Sequence, residues 1–283
     1  MSAVRLPEPG REGVARRAAV LGRPIGHSKS PQLHGAGYAT LGLDDWEYVR
    51  VDCGAEELPG LVAQAGPEWA GFSVTMPGKF AALEVADEAT ERARVVGSAN
   101  TLVHLPDGRW LADNTDCDGV AGALAELGAD DVPDGRAVVV GAGGTSRPAL
   151  WALAEAGVRH LDVVARSERA LAVEPLAAAL GMQFTWVRFD DPRLAEISGA
   201  SDVLVSTVPS DALHGWAGYL ARAPRILDVI YDPWPTPLAK AATEGGRAVV
   251  GGLSMLLHQG TAQFERFTGR PAPVEEMRAA LGG

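Results

Sequence analysis

A lysine and an aspartate in two short polar segments of this chain could together transfer a proton. Lys79 ends the segment GFSVTMPGK, and Asp116 ends the segment NTD. An ammonium beside a carboxylate in a pocket can position and move a proton at a carbonyl or alcohol oxygen. Lys79 alone would most often be a surface charge, and Asp116 alone would most often be a helix cap. The pair therefore needs support from other segments.

A glycine-rich turn downstream indicates a second kind of chemistry. The apolar segment 136–140 runs directly into the sequence GAGGTS. Glycines after a strand let backbone N–H groups approach a dinucleotide pyrophosphate at a helix N-terminus, although a purely structural turn would have the same sequence. We predict a redox cofactor here, because a second apolar strand follows after a helix-length gap. The residues predicted to contact the cofactor are Gly141, Ala142, Gly143, Gly144, Thr145 and Ser146, the last in place of the usual third glycine.

The end of the second apolar strand distinguishes between two cofactors. An acidic residue there would bind the ribose 2′-OH of NAD, whereas an arginine suits the 2′-phosphate of NADP. This chain has Ala165, Arg166 and Ser167, and then Arg169. Two arginines and a hydroxyl favour NADP, although a solvated charged loop would have a similar composition. We predict that these four residues bind NADP.

Apolar strands alternate with helical segments along the chain and predict an α/β fold. The predicted strands are 18–21, 46–51, 71–74, 101–104, 137–140, 161–165, 203–206 and 225–229. The predicted helices are 56–65, 82–96, 119–127, 253–267 and 274–281. The later strands are almost continuously apolar, as a parallel sheet covered on both faces requires.

The length of 283 residues favours two domains over one. We predict a flexible N-terminal extension over 1–17 and a substrate-binding catalytic domain over 18–120 and 253–283. The remaining segment, 121–252, is predicted to be a Rossmann-like, doubly wound NADP-binding domain. The C-terminal helices would thus return to the first domain.

Composition excludes several classes of function. A net charge of −11 argues against nonspecific binding to nucleic acid or to anionic membranes. The two cysteines form no CxxC pair and have no histidine cluster nearby, so we expect neither a disulfide framework nor a metal site. No apolar run approaches the roughly 20 residues of a membrane span. The polar N-terminus does not resemble a signal peptide, and we expect a cytoplasmic protein.

Taken together, these segments resemble the shikimate dehydrogenase family from about residue 18 onward. The ordered matches are the glycine-rich turn and the segments 22–34 (GRPIGHSKSPQLH), 73–79, 97–101 (GSANT), 114–116, 228–238 (DVIYDPWPTPL) and 252–260 (GLSMLLHQG). The resemblance implies NADPH-dependent, reversible reduction of 3-dehydroshikimate to shikimate, a step of aromatic amino-acid biosynthesis. It also implies an active site in a cleft between the two domains.

The resemblance assigns roles to particular residues. Ser28 and Ser30 would hold the substrate carboxylate, although chemistry alone favours a helix-capping role for them. Lys79 would protonate the reacting oxygen without the help of a metal, and Tyr231 would line the nicotinamide or substrate side. The residues expected to bind the ring hydroxyls are Thr75, Asn100, Asp116 and Gln259. Further cofactor contacts are expected from Ser206, Thr207, Val208 and Gly252.

Two departures and several alternatives accompany the resemblance. Gly35 and Ser73 stand where the family often has asparagine. Quinate or an aminated shikimate analogue could be the substrate, NAD could replace NADP, and the protein could be a monomer or a homodimer. A methylenetetrahydrofolate dehydrogenase also joins a lysine-bearing domain to a Rossmann domain, but the Ser28 and Ser30 motif speaks against it. A non-enzymatic regulatory module is disfavoured by the intact Lys79 and Asp116.

Overall fold

The computed structural model describes residues 4–282 of the chain. Residues 1–3 of the predicted extension and residue 283 of the predicted catalytic domain lie outside the described residues. The chain divides into two compact units, with crossings after Thr115 and after His258. The segment from Gln259 onward belongs to the first unit, which confirms the C-terminal return. The boundaries between the predicted domains, 18–120 with 253–283 and 121–252, lie within a few residues of these two crossings.

The first unit contains a mixed six-stranded sheet in the order β2-β1-β3-β5-β6-β4. Its strands are Arg16–Gly22 (β1), Trp46–Asp52 (β2), Trp69–Val74 (β3), Glu88–Ala89 (β4), Thr101–His104 (β5) and Trp110–Asp113 (β6). Strand β1 is parallel to β2 and β3, whereas β5 is antiparallel to β3 and to β6. The ends of β1, β3 and β6 therefore lie at the same edge as the start of β5. We call this edge, marked by Gly22, Val74, Thr101 and Asp113, the first-sheet edge.

The second unit contains a wholly parallel sheet in the order β12-β11-β10-β7-β8-β9. Its strands are Gly135–Val140 (β7), Val158–Val164 (β8), Gln183–Val187 (β9), Val203–Ser206 (β10), Arg225–Asp228 (β11) and Ala248–Gly251 (β12). The central strands β7 and β10 are almost fully buried, as their continuous apolar sequence predicts. Two halves that diverge from the β7–β10 pair give the order of a doubly wound dinucleotide-binding sheet, which confirms the predicted fold class.

Twelve α-helices connect these strands in the described part of the chain. They are Ser30–Thr40 (α1), Leu58–Val62 (α2), Lys79–Val85 (α3), Glu91–Val96 (α4), Asp116–Glu126 (α5), Ser146–Glu155 (α6), Glu174–Ala179 (α7), Leu194–Gly199 (α8), Ala217–Leu220 (α9), Pro237–Glu244 (α10), Gly252–Thr268 (α11) and Val274–Ala280 (α12). None of these helices is both long and apolar enough to cross a bilayer.

The predicted helix over 82–96 is wrong, because the chain breaks it into two helices with a short strand between them. Helix α3 ends at Val85, and Ala86 has an extended backbone. Thr90 then caps α4 by accepting a hydrogen bond from the N–H of Ala93. The same Thr90 hydroxyl donates to Asp113 at 2.8 Å, so a tertiary contact holds the break in place. The sequence reading also missed strands β6, β9 and β12.

The first strand begins inside the segment predicted as a flexible extension. Arg16 and Arg17 belong to β1, so that prediction is wrong for these two residues. The Arg17 guanidinium is buried, binds Glu47 at 2.9 Å, and lies 4.4 Å from the ring centre of Trp69. It also donates to the carbonyl of Pro7 at 2.6 Å, and Val4 and Leu6 pack against the core of the unit.

Candidate functional site

Three of the predicted substrate residues and the predicted catalytic lysine gather at the first-sheet edge. Ser28 and Ser30 lie in the loop that follows β1 and at the start of α1. Thr75 directly follows β3, and its N–H donates to the carbonyl of Leu21 at 2.9 Å. Lys79 begins α3 and is half-buried. Strand pairing thus brings together residues as far apart in the sequence as Ser28 and Lys79, which are separated by 51 positions.

The serine pair has a local structural role at the start of α1. Ser28 is half-buried, and its Oγ accepts a hydrogen bond from the N–H of Ser30 at 3.3 Å. Lys29 occupies the N-cap position of α1, and no side chain of the described residues caps that helix. The Ser28 carbonyl also accepts from Nε of Arg50 at 3.0 Å, which places an exposed guanidinium beside the pair. Sequence reasoning did not single out Arg50, because a charged residue in an edge strand is common on protein surfaces.

Asn100 is the most completely oriented of the predicted substrate residues. Its Oδ1 accepts hydrogen bonds from the backbone N–H of Thr115 at 2.7 Å and from the Thr101 hydroxyl at 2.8 Å. A backbone N–H can only donate, so the amide oxygen must face inward. The Nδ2 group lies on the other side, 3.4 Å from Oε1 of Gln259. The structure therefore brings Asn100 and Gln259 together across 159 positions of sequence.

The buried carboxylate of Asp113 supports this edge from behind. It accepts hydrogen bonds from Arg92 at 2.7 and 2.8 Å and pairs with Arg266 at 2.6 Å. Burial alone would raise the pKa of Asp113, but the hydrogen bond from Arg92 and the charges of Arg266 and Arg92 outweigh it and lower the pKa to about 2. The backbone carbonyl of Asp113 accepts from the N–H of Asn100 at 3.1 Å, so the cluster is tied to the site.

The two residues of the predicted proton-transfer pair belong to different units. Lys79 lies in the first unit, and its carbonyl accepts from the N–H of Ala99 at 2.9 Å. Asp116 is buried and begins both α5 and the second unit, directly after the buried Thr115. The pairing of Lys79 with Asp116 stays a prediction.

The glycine-rich turn of the second unit has the shape that a bound pyrophosphate needs. Gly141 has φ of +100°, and a Cβ there would lie 2.7 Å from both Thr207 Oγ1 and Val208 Cγ1. Gly143 and Gly144 are exposed, and a Cβ on either would meet no atom within 4 Å. Helix α6 follows without a side-chain cap on its first N–H groups. The turn therefore presents uncapped N–H groups beside open space, an arrangement that suits an anion.

Several predicted cofactor residues shape the turn through hydrogen bonds of their own. The Ser146 hydroxyl is buried and donates to the Gly143 carbonyl at 2.6 Å. The Thr207 hydroxyl donates to the Val140 carbonyl at 2.8 Å, and Ser206 is fully buried at the end of β10. The Ser146 and Thr207 hydroxyls thus hold backbone segments in place, and Ser146 at the position of the third glycine stabilises the turn. Ala142 and Thr145 lie beside them and are half-buried.

Exposed cations follow the second strand of this sheet. Arg166, Ser167 and Arg169 are all exposed after β8, and among residues 4–282 neither arginine forms an ion pair. Arg166 Nη2 donates to the Ala212 carbonyl at 3.1 Å. A pocket of about 240 Å³ lies here, lined in part by Gly141, Ala165 and Arg166. A guanidinium group without an acidic partner at a pocket, such as that of Arg166, fits the phosphate of a nucleotide.

Two further predicted residues lie after the other strands of the second sheet. A Cβ on Gly252 would lie 2.1 Å from the Val229 carbonyl, so only glycine permits this approach of the backbone at the start of α11. Tyr231 is half-buried three residues after β11, and burial together with the charge of Asp232 raises its pKa. No cluster of three or more metal-binding side chains occurs among the described residues.

Three buried polar residues near Asn100 escaped the sequence reading as a group. Tyr48, Ser73 and Gln263 are buried and hydrogen-bond in series. Gln263 stands four positions after Gln259, so both belong to one face of α11. That spacing was the available signal, although glutamine is usually exposed and the sequence does not show that this helix turns it inward.

Two known families match this chain, one in its N-terminal part and one near its C-terminus. The family described as shikimate dehydrogenase substrate binding domain matches residues 20–102. The family described as shikimate 5′-dehydrogenase C-terminal domain matches residues 252–281. The first match covers the serine pair, Thr75, Lys79 and Asn100, and the second covers Gln259.

Relatives match over nearly the full length. The shikimate dehydrogenase (NADP(+)) of Rhodospirillum rubrum is 41% identical over 287 aligned positions, which cover 96% of this chain and 98% of that protein. The crystal structure of Mycobacterium tuberculosis shikimate dehydrogenase has a TM-score of 0.89 and 54% identity, covering 94% of this chain and 99% of the other. Shikimate 5-dehydrogenase from Thermus thermophilus, solved in complex with NADP(H) and shikimate, has a TM-score of 0.78 and 31% identity, covering 94% and 98%.

Proposed function

This chain belongs to the shikimate dehydrogenase family, and we propose that it catalyses the reversible, NADP-dependent reduction of 3-dehydroshikimate to shikimate in aromatic amino-acid biosynthesis. The observation that carries the proposal is the orientation of Asn100 at the first-sheet edge. Its amide N–H group, fixed by the backbone of Thr115, is a donor for a ring oxygen beside Lys79 and the serine pair. Oxygen-rich ring substrates need such fixed donors.

In the proposed site, the substrate spans two groups of residues. Ser28 and Ser30 would bind the carboxylate through their hydroxyls, with the Arg50 guanidinium supplying nearby positive charge. Thr75, Asn100 and Gln259 would bind ring hydroxyls. Because Asn100 and Gln259 are buried and in contact, they would hold the ring without first paying for side-chain ordering.

The proposed proton transfer uses Lys79. Its ammonium would donate a proton to the carbonyl oxygen of 3-dehydroshikimate as that oxygen gains negative charge. In the reverse direction the amine would take the proton from the hydroxyl. Asp116 would orient the ammonium and the neighbouring hydroxyl, since a carboxylate close to a cation restricts its position. General acid catalysis of this kind contributes about 10²–10⁴-fold in rate.

NADPH, when bound, supplies the hydride for this reduction. The turn at Gly141 would bind its pyrophosphate through backbone N–H groups, and Arg166 with Ser167 would bind the 2′-phosphate. Arg169 lies close in sequence and would add positive charge. Tyr231 and Gly252 follow other strands of the same parallel sheet and would line the nicotinamide end.

The proposal is tested by following NADPH absorbance while the purified protein oxidises shikimate with NADP. Parallel assays replace shikimate by quinate or an aminated analogue, and NADP by NAD. We expect turnover that selects both shikimate and NADP. Turnover only with quinate or the aminated analogue would replace the substrate, and turnover only with NAD would replace the cofactor. No turnover with any pair would contradict the enzymatic proposal. Cytoplasmic location and oligomeric state stay predictions.

A further inference from the structure

A buried set of hydrogen-bonded side chains connects Tyr48 with Asn100 behind the first-sheet edge. The set, called here the polar network, consists of Tyr48 on β2, Ser73 on β3, Thr101 on β5 and Gln263 on α11. Tyr48 donates to Ser73 at 2.6 Å, and Ser73 donates to Oε1 of Gln263 at 2.7 Å. Gln263 Nε2 donates to Thr101 Oγ1 at 3.0 Å, and Thr101 donates to Asn100 Oδ1 at 2.8 Å.

A backbone carbonyl fixes the direction of the hydrogen bonds that run from Gln263 through Ser73 to Tyr48. Gln263 Nε2 lies 3.1 Å from the carbonyl oxygen of Asn100, which can only accept. The Gln263 amide therefore cannot be reversed, and its Oε1 must face Ser73. Because the single Ser73 proton goes to that Oε1, the Tyr48 proton must go to Ser73.

The fixed direction has a consequence at Asn100. Its Oδ1 accepts from the Thr101 hydroxyl and from the N–H of Thr115, so its Nδ2 group faces away from the polar network. Asn100 is thus prepared as a donor.

We propose that Gln263 is a positioning residue which sets the orientation of Asn100 through the polar network. This inference rests on the proposed function, since Asn100 is a proposed substrate contact. Gln263 is buried and acts through Thr101 and Asn100. It is the member of the network that bonds to β3 and β5 together, and it lies on the helix that also carries Gln259. Its amide thereby fixes the donor that would recognise a ring hydroxyl.

The first test measures shikimate binding and kinetics for Gln263→Met, which keeps the size of the side chain and removes its hydrogen bonds. We expect the shikimate Kd from calorimetry and the shikimate KM to rise about tenfold, as losing a hydrogen bond network of this kind costs on the order of 1.4 kcal/mol. The NADP KM should change less than about twofold. Gln64→Met is the matched control, because Gln64 is exposed and bonds only backbone carbonyls. Val62→Ala controls for a general loss of core packing.

A second variant gives a signature that a merely structural role would not produce. Gln263→Glu keeps the acceptor for Ser73, but its ionised form cannot donate to Thr101 or to the Asn100 carbonyl. Its protonated form can donate, so shikimate binding should recover as pH falls through the raised pKa of this buried carboxyl. The unmodified protein, assayed in parallel, corrects for titration elsewhere, and Gln263→Met should show no such recovery.

The groups packed around this position do not titrate in the pH range of the assay. Burial lowers the pKa of His34, which stacks on Tyr48, to about 3, and burial raises the pKa of Tyr48 above its ordinary value. Asp113, held between Arg92 and Arg266, has a pKa of about 2. A recovery between about pH 8 and pH 5 would therefore belong to the introduced carboxyl.

A double-variant comparison tests the network itself. Ser73→Ala and Gln263→Met should each weaken shikimate binding about tenfold, and the double variant should be weakened by about tenfold instead of a hundredfold. Additive losses, a shikimate Kd within twofold of the unmodified value for Gln263→Met, or an equal rise of both KM values would overturn the inference. If the unmodified protein does not bind shikimate, the proposed function itself fails. Non-additive losses of thermal stability would then show that the network exists without serving shikimate.

Discussion

The residues proposed to bind substrate and those proposed to bind cofactor are held in place by different means. In the first unit, Asn100 and Gln259 are buried and oriented by other side chains. In the second unit, Gly143, Gly144 and Arg166 are exposed, and backbone geometry positions the turn. We therefore expect substrate binding to be most sensitive to changes of polar side chains, and cofactor binding to be most sensitive to added steric bulk.

The largest expected effect tests the substrate side. Lys79→Ala should lower kcat by about 10²–10⁴-fold, because the variant lacks the proposed proton donor. Shikimate binding, measured by calorimetry, should be nearly unchanged, since the serine pair and Asn100 remain. Phe80→Ala, an exposed neighbour, is the control. A near-normal rate for Lys79→Ala would exclude Lys79 from the proton transfer.

The next prediction tests steric control in the second unit. Gly141→Ala should raise the NADP KM by at least about tenfold and lower the thermal midpoint, because positive φ and two contacts at 2.7 Å both oppose a Cβ. Gly143→Ala is the matched variant for stability, since its Cβ would meet nothing within 4 Å. Equal thermal midpoints for the two variants would contradict the expected loss of stability in Gly141→Ala.

A smaller effect is expected for the exposed Arg166, and it concerns the selectivity for NADP over NAD. Arg166→Ala should reduce the preference for NADP over NAD by about 10–100-fold, the range for a hydrogen bond to a charged group. The change should come from kcat/KM with NADP, while the value with NAD stays similar. Arg188→Ala removes another exposed arginine of the same unit, one that pairs with Asp190, and should leave the preference unchanged. An unaltered preference in Arg166→Ala would remove Arg166 from the 2′-phosphate site.

The smallest expected effect on activity concerns Asp113. The folded-state pKa of about 2 lies below the ordinary value of 3.8, so the carboxylate stabilises the fold at pH values above 3.8. That contribution, about 2 kcal/mol at neutral pH, should be lost as pH falls toward 2. Asp113→Asn should accordingly lower the free energy of unfolding at pH 7, with a difference that shrinks in acid. Asp190→Asn breaks a fully exposed pair and should have little effect. Denaturant titrations at several pH values measure both.

The sequence predicts four of the six strands in each sheet, with ends within a few residues of the observed bounds. In the second unit, the apolar runs 137–140 and 203–206 identify the central strands β7 and β10. Strand β9 alternates between exposed and covered positions, and its sequence gave a weaker signal. In the first unit, the break between α3 and α4 depends on the contact of Thr90 with Asp113, which no local pattern reveals.

By itself, the sequence determined the fold class, the family and the residue types available for chemistry, since glycines, a lysine and hydroxyls have local signatures at fixed spacings. It could not determine orientation. The direction of the Asn100 amide depends on Thr115 and Thr101, and the inward position of Gln263 depends on Ser73 of a distant strand. Hydrogen-bond direction follows from which donor meets which acceptor across the fold. Only the tertiary structure brings those partners together.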